Sequence, residues 1–307
     1  MKHTFFFVAL LLIFPALSEA QDSPYPFLEN RVSEFPKVRD LALTQDGAEA
    51  YFTIQSPLEE VSQIVRVTKE NGSWGEAVLM PFSGKYKDLE PFVSPDQKRL
   101  YFVSNRPLDG MGEPKDFDIW YVERKNKKSA WSSPVNLGAP INTEYGEFYP
   151  SLAKNGNLYF TRDSPETKGK DDVFFAEWKD ENYQTPISLD TTINSQGYEY
   201  NAFIAPDESY LIFGAYQRGD GYGSGDLYIS YRKDGQWQLA ENLGEKVNSA
   251  QMDYCPFVDP KTGKLYFTSR RSMVEAEDFD SMESLKEAIG QYSDGTSRLY
   301  QVDFNQK

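Results

Sequence analysis

Short apolar runs alternate with turn-forming residues along most of the chain, and apolar positions almost nowhere follow a helical period. Runs of this kind, bounded by Gly, Pro, Asn and Asp, predict β-strands. Ala50-Tyr51-Phe52, Leu100-Tyr101-Phe102, Leu158-Tyr159-Phe160, Leu211-Ile212-Phe213 and Leu265-Tyr266-Phe267 are variants of one apolar triplet. Their phenylalanines fall 50, 58, 53 and 54 positions apart. Chance composition does not give that spacing, so the chain reads as five copies of one unit.

The flanks repeat as well. A short apolar strand and a tight turn precede each triplet; the turns are Thr44-Gln45-Asp46-Gly47, Ser94-Pro95-Asp96-Gln97, Lys154-Asn155-Gly156, Ala205-Pro206-Asp207 and Asp259-Pro260-Lys261-Thr262-Gly263. Proline presets φ there, Asp and Asn bond their own backbone, and glycine accepts positive φ. A third strand follows a variable loop and begins at Gln63, Asp118, Asp172, Asp226 and Arg298. Trp74, Trp131, Tyr183 and Trp237 open a fourth strand in the first four units, and three units end in Ile141-Asn142-Thr143, Ile193-Asn194-Ser195 and Val247-Asn248-Ser249.

Four strands in about fifty residues match a propeller blade, and a closed ring lets each blade cover the next. The sequence therefore predicts an all-β fold: a β-propeller of five recognisable four-stranded blades, with a sixth left open. The last unit stops at Phe304, without a fourth strand. The segment Pro24 to Pro36 is expected to supply it through Phe27-Leu28 or Val32, closing the ring by pairing the N- and C-terminal strands. Ser272 to Ser297 interrupts the last unit; there Ser281 can cap a helix with Met282, Leu285 and Ile289 on one face and Gly290 at its end. That helix reads as packed on the ring, or as a lid or partner contact.

Lys2, the apolar stretch Thr4 to Leu17 and Ser18-Glu19-Ala20 read as a secretory signal over residues 1–20, leaving 21–307 as a single propeller domain. The expected location is periplasmic or secreted, with no membrane insertion. The net charge of −15 argues against nucleic acid as a partner. Cys255 is the sole cysteine, read as a small apolar strand residue, with a reactive thiol as the alternative. His3 is the sole histidine, so a chain cleaved after Ala20 has no imidazole for Ser-His-Asp catalysis or metal ligation.

The second unit, Glu90-Pro91-Phe92-Val93-Ser94-Pro95-Asp96, then Leu100 to Arg106, then Asp118-Ile119-Trp120-Tyr121, resembles the Pro-Asp repeat of TolB-type propellers. The resemblance spans roughly residues 38 to 304 and implies an envelope propeller that binds proteins or serves as an accessory module. TolB-type propellers usually have six blades, one more than is counted here.

Propellers bind ligands where inner-strand ends converge on the channel. Asp88, Glu147, Glu199 and Asp253 recur at the start of the inner strand, with Val38 in that place in the first unit. Four carboxylates there would hold a hard cation, Ca²⁺ being the one candidate cofactor, or raise one another's pKa as acid and base. The alternative is that each caps backbone amides between blades. Arg106, Arg162, Arg218 and Arg271 recur after the second strand and would grip a carboxylate ligand. Alternatively they pair with loop acids such as Asp109, Asp163 or Asp220. Asp118, Asp172 and Asp226 read as structural, and the glycine-rich loop Gly219 to Asp226 matches no phosphate loop. Tyr145, Phe148, Tyr149, Tyr198, Tyr200 and Tyr254 cluster beside the carboxylates and suit a sugar or a peptide.

These features favour a non-catalytic exported propeller binding an envelope protein or polysaccharide. The alternative is a carbohydrate-active enzyme, of glycosidase or lyase type, using channel carboxylates. Two carboxylates facing the channel about 5 to 10 Å apart would favour the enzyme. Four acids bonded to backbone amides would count against it.

Overall fold

The computed structural model describes residues 23–304, and residues 1–20, read from the sequence as a secretory signal, lie outside them. Five antiparallel sheets form the ring, and among the described residues no helix is long and apolar enough to cross a membrane. Blade 1 runs Lys37–Leu43, Glu49–Gln55, Ser62–Glu70 and Val78–Leu79 from the channel outward. Blade 2 is Asp88–Val93, Arg99–Ser104, Asp118–Glu123 and Val135–Asn136. Blade 3 is Gly146–Leu152, Leu158–Asp163, Asp172–Ala176 and Ile187–Ser188. Blade 4 is Tyr198–Ile204, Tyr210–Tyr216, Gly225–Lys233 and Glu241–Asn242. Blade 5 joins Asp253–Asp259, Lys264–Ser269 and Arg298–Asp303 to the N-terminal strand Tyr25–Pro26.

Ring closure follows the expectation, with a small shift. Tyr25 and Pro26 pair with Gln301 and Tyr300, the Phe27 N–H donates to Leu299 O, and Phe27, Leu28 and Val32 are buried in the core. No sixth blade forms among the described residues.

The core lies between blades. One cluster sets Leu89, Tyr101 and Ile119 of blade 2 against Leu152, Phe160 and Phe174 of blade 3; another joins Tyr159 and Val173 to Ile204 and Phe213. The aromatics that open each fourth strand are fasteners. Trp131 packs edge-on to Tyr51 of the preceding blade, Trp237 to Tyr159, and Trp74 to Phe27.

The helix Met282–Ile289 forms as the capping residues require: Ser281 accepts from Ser284 N, and Gly290 N–H donates to Lys286 O. Its inner face is only half-buried, at Leu285 and Ala288. None of its residues is buried, and Met282 and Ile289 stand exposed.

Candidate functional site

Every innermost strand breaks register at the same place. The shifts fall between Arg39 and Ala42, Leu89 and Phe92, Phe148 and Ser151, Tyr200 and Phe203, and Tyr254 and Phe257. Each bulge holds one non-glycine residue in the left-handed region: Asp40 (φ 63°), Glu90 (57°), Tyr149 (50°), Asn201 (51°) and Cys255 (52°). That conformation costs each residue about 1 kcal/mol or more, and bulges re-aim side chains. The five residues converge and bond to one another across the channel.

Glu90 N–H donates to Asp40 Oδ2 (3.2 Å), Tyr149 N–H to Glu90 Oε2 (2.7 Å), and Asn201 Nδ2 to Glu90 Oε1 (3.3 Å). The Cys255 thiol donates to Asp40 Oδ1 at 2.8 Å, with Asn201 Oδ1 at 3.3 Å. Cys255 is therefore a buried polar member of this ring, not an apolar filler, and burial pushes its thiol up so that it stays protonated. Arg39 lies over the acids, Nε 2.5 Å from Asp40 and Nη2 2.8 Å from Glu90. Asp40, Glu90 and Cys255 bring donor atoms within 4.8 Å of one another, the one such grouping among the described residues. The Arg39 guanidinium supplies the positive charge there.

A cavity of about 530 Å³ opens above this ring at the mouth of the channel. Arg39, Glu90 and Asn201 form part of its lining, Phe148, Tyr200 and Tyr254 its aromatic walls, and Tyr198 and Tyr216 its half-exposed rim. Asp171 and Arg270 also face it. Burial lifts the Glu90 carboxyl to about 7; Arg39 opposes the lift and the charge on Asp40 adds to it. Burial, helped by Asp163, Asp172 and Glu199, lifts Asp171 to about 6. The cavity thus presents two carboxyls that burial lifts above the usual carboxylate range, as at many acid and base sites.

The carboxylates expected at the mouth stand elsewhere. Asp88, Glu147, Glu199 and Asp253 are wholly buried and none lines the cavity. Each pairs with the recurrent arginine of its own blade: Asp88 with Arg106 (2.5 Å), Glu147 with Arg162 (3.1 Å), Glu199 with Arg218 (2.9 Å) and Asp253 with Arg271 (3.0 Å). The two repeated sets hold each other, and the arginines do not use Asp109, Asp163 or Asp220. The arginines also donate to Phe82, Ile141, Ile193 and Val247 carbonyls, and Thr143, Ser195 and Ser249 amides donate to the acids. The pairs therefore clamp the crossover from the preceding blade, which explains the recurring terminal triplets. Burial lifts Glu147 to about 7 as well, but its side chain has no access to the cavity. A Ca²⁺ ring from these four acids has no common centre, because each is bonded within its own blade.

Of the aromatics singled out, Phe148, Tyr198, Tyr200 and Tyr254 line the cavity. Tyr149 points below it, donating to Pro256 O, and Tyr145 is exposed outside it. Asp40, Glu90, Asp171, Arg39 and Arg270 were not anticipated.

No protein-family model and no curated protein matches the chain, so the TolB-type resemblance rests on its repeat motifs alone. Solved structures do match. An α-L-arabinofuranosidase from Lactobacillus brevis aligns at 13% identity and TM-score 0.52, covering 90% of this chain and 95% of that one. The catalytic domain of an α-L-arabinofuranosidase from Coprinopsis cinerea aligns at 9% and 0.53, covering 91% and 95%. An endo-arabinanase from Bacillus licheniformis aligns at 12% and 0.52, covering 89% and 95%. At these identities the likeness is one of fold. The expectation of a non-catalytic binding propeller is corrected: these three neighbours are glycoside hydrolases, and the alternative, a carbohydrate-active enzyme, is carried forward as a proposal.

Proposed function

We propose that the protein is a glycosidase acting on a polysaccharide at the channel-mouth cavity, with Glu90 as general acid and Asp171 as its partner base. One observation carries this reading: Glu90, lifted to about 7, faces an aromatic-walled cavity that also holds a second, more acidic carboxyl. Near neutral pH a fraction of Glu90 keeps its proton while Asp171 is mostly ionised. Glu90 gives its proton to the departing glycosidic oxygen as the bond to the anomeric carbon breaks. Asp171 takes a proton from the water whose oxygen bonds to that carbon. The aromatic walls hold the sugar by its apolar faces. Arg39 holds the Glu90 carboxyl, and the charge on Asp40, which accepts from the Glu90 backbone N–H, helps keep its proton on.

The arabinan-cleaving neighbours make arabinan the first polymer to test. The wild-type protein is expected to release reducing ends from it. Glu90→Gln should slow release by about 10²–10⁴-fold, with less loss on an aryl arabinoside whose leaving group needs no proton. Asp171→Asn should slow both substrates. Equal rates in the wild type and Glu90→Gln would refute the assignment, as would failure to cleave any glycan in a panel of plant and bacterial polysaccharides.

A further inference from the structure

The innermost strand of blade 3 reaches the channel-mouth cavity at Phe148 and a different cleft at Leu152. The two ends of the strand lie toward opposite faces of the ring. The second cleft lies between blades 2 and 3, near the turns that end their inner strands, and has a volume of about 670 Å³. Small-ligand sites fall within this size range.

Its charge runs against that of the molecule. The chain carries −15 overall, yet Lys98, Arg99, Arg124, Lys125 and Lys154 line this cleft against only Asp96 and Glu123. Arg124 is taken up by Glu49, at 3.1 and 2.6 Å, and Arg99 by Glu123 at 3.2 Å. The three lysines close no ion pair among the described residues. An aromatic platform stands among them. Trp178 is 37% exposed and packs edge-on to Tyr183 at 4.7 Å. Its ring lies on Gly156, where a Cβ would come within 2.8 Å of Trp178 Cδ1, so that glycine is what lets the indole sit there.

We infer that this cleft is a second polysaccharide-binding site, remote from the cavity, that takes an anionic, uronate-bearing chain. The indole offers a flat surface for the C–H face of a pyranose. The lysines meet the carboxylates with charge-assisted bonds, and the excess positive potential draws the chain in. A neutral glycan would leave that potential unused. The ligand class is shared with the proposed function, but binding here requires no turnover.

The test is tryptophan fluorescence titration of the full protein with polygalacturonate oligomers, using wild type and the Glu90→Gln variant. Both are expected to bind, with a spectral change that disappears in Trp178→Phe. Lys125→Glu/Lys154→Glu should weaken binding at least tenfold while leaving the melting temperature and the hydrolysis of short substrates unchanged. Added salt should weaken binding in the wild type, and fully methyl-esterified oligomers of the same length should bind at least tenfold less well. Unchanged affinity in the double variant, or equal affinity for the esterified chain, overturns the inference. Tighter binding of poly-glutamate than of polygalacturonate overturns it in favour of an acidic peptide. Because the Glu90→Gln protein is titrated alongside, loss of binding is separated from loss of catalysis.

Discussion

At Glu90, the burial that lifts the carboxyl also ties its proton to folding. The unfolded chain releases that proton near 4.5, whereas the folded protein keeps it to about 7. Stability from this group is therefore fully present below pH 4.5 and is lost as pH rises through 7. A glutamine carries no such dependence. The stability of Glu90→Gln relative to wild type should rise by about 3 kcal/mol between pH 4 and pH 8, read by urea denaturation at each pH. A constant difference would mean that Glu90 ionises at an ordinary pH. Glu147, lifted to about the same value, shares this dependence, but it lies outside the cavity and is clamped by the buried Arg162. Glu147→Leu should cost about 3–5 kcal/mol by stranding that guanidinium, with activity per folded molecule unchanged. The repeated acids and arginines were legible in the sequence, but as residues of the fold. Repetition is what a blade needs; a site needs the blades to differ. The position two residues further on holds Asp40, Glu90, Tyr149, Asn201 and Cys255, five different side chains at one register. That divergence amid matching flanks was the available signal. Strict alternation along a strand conceals it, because the bulge turns the side chain aside.

Among the elements, the four strands per unit were readable because each turn carries its own chemistry: Pro-Asp, Asn-Gly and Asp-Gly pairs fix where a strand must end. The aromatic that opens each outer strand was visible too, but its role depends on a neighbour in the preceding blade. Trp131 illustrates this. It meets Tyr51 of blade 1, and the Arg124 guanidinium lies 4.4 Å from its ring centre while bonding Glu49 of blade 1. Trp131→Ala should remove about 2–3 kcal/mol by loosening the seam between blades 1 and 2. An unchanged urea midpoint would show that the seam holds without it. The exposed helix Met282–Ile289 marks a limit of pattern reading: a local cap and an apolar face specify a helix without specifying anything for that face to cover.

The whole molecule depends on closure. The strand Tyr25–Pro26 completes blade 5, and Phe27, Leu28 and Val32 behind it are buried in the largest core cluster. Burial of three such side chains contributes about 5 kcal/mol or more. Deleting residues 23–36 should therefore lower the melting temperature by at least about 10 °C, and an unaltered melt would contradict closure. Closure also brings five inner strands to one axis, and so sets Asp40 beside Glu90 and both beneath one cavity. The most direct test of the catalytic reading is the pH dependence of kcat/KM on an arabino-oligosaccharide. The account predicts a bell with limbs near 6 and 7, the upper limb moving to lower pH in Asp40→Asn because a negative charge beside Glu90 is gone. A rate flat from pH 5 to 8, or an upper limb that Asp40→Asn leaves in place, would contradict it.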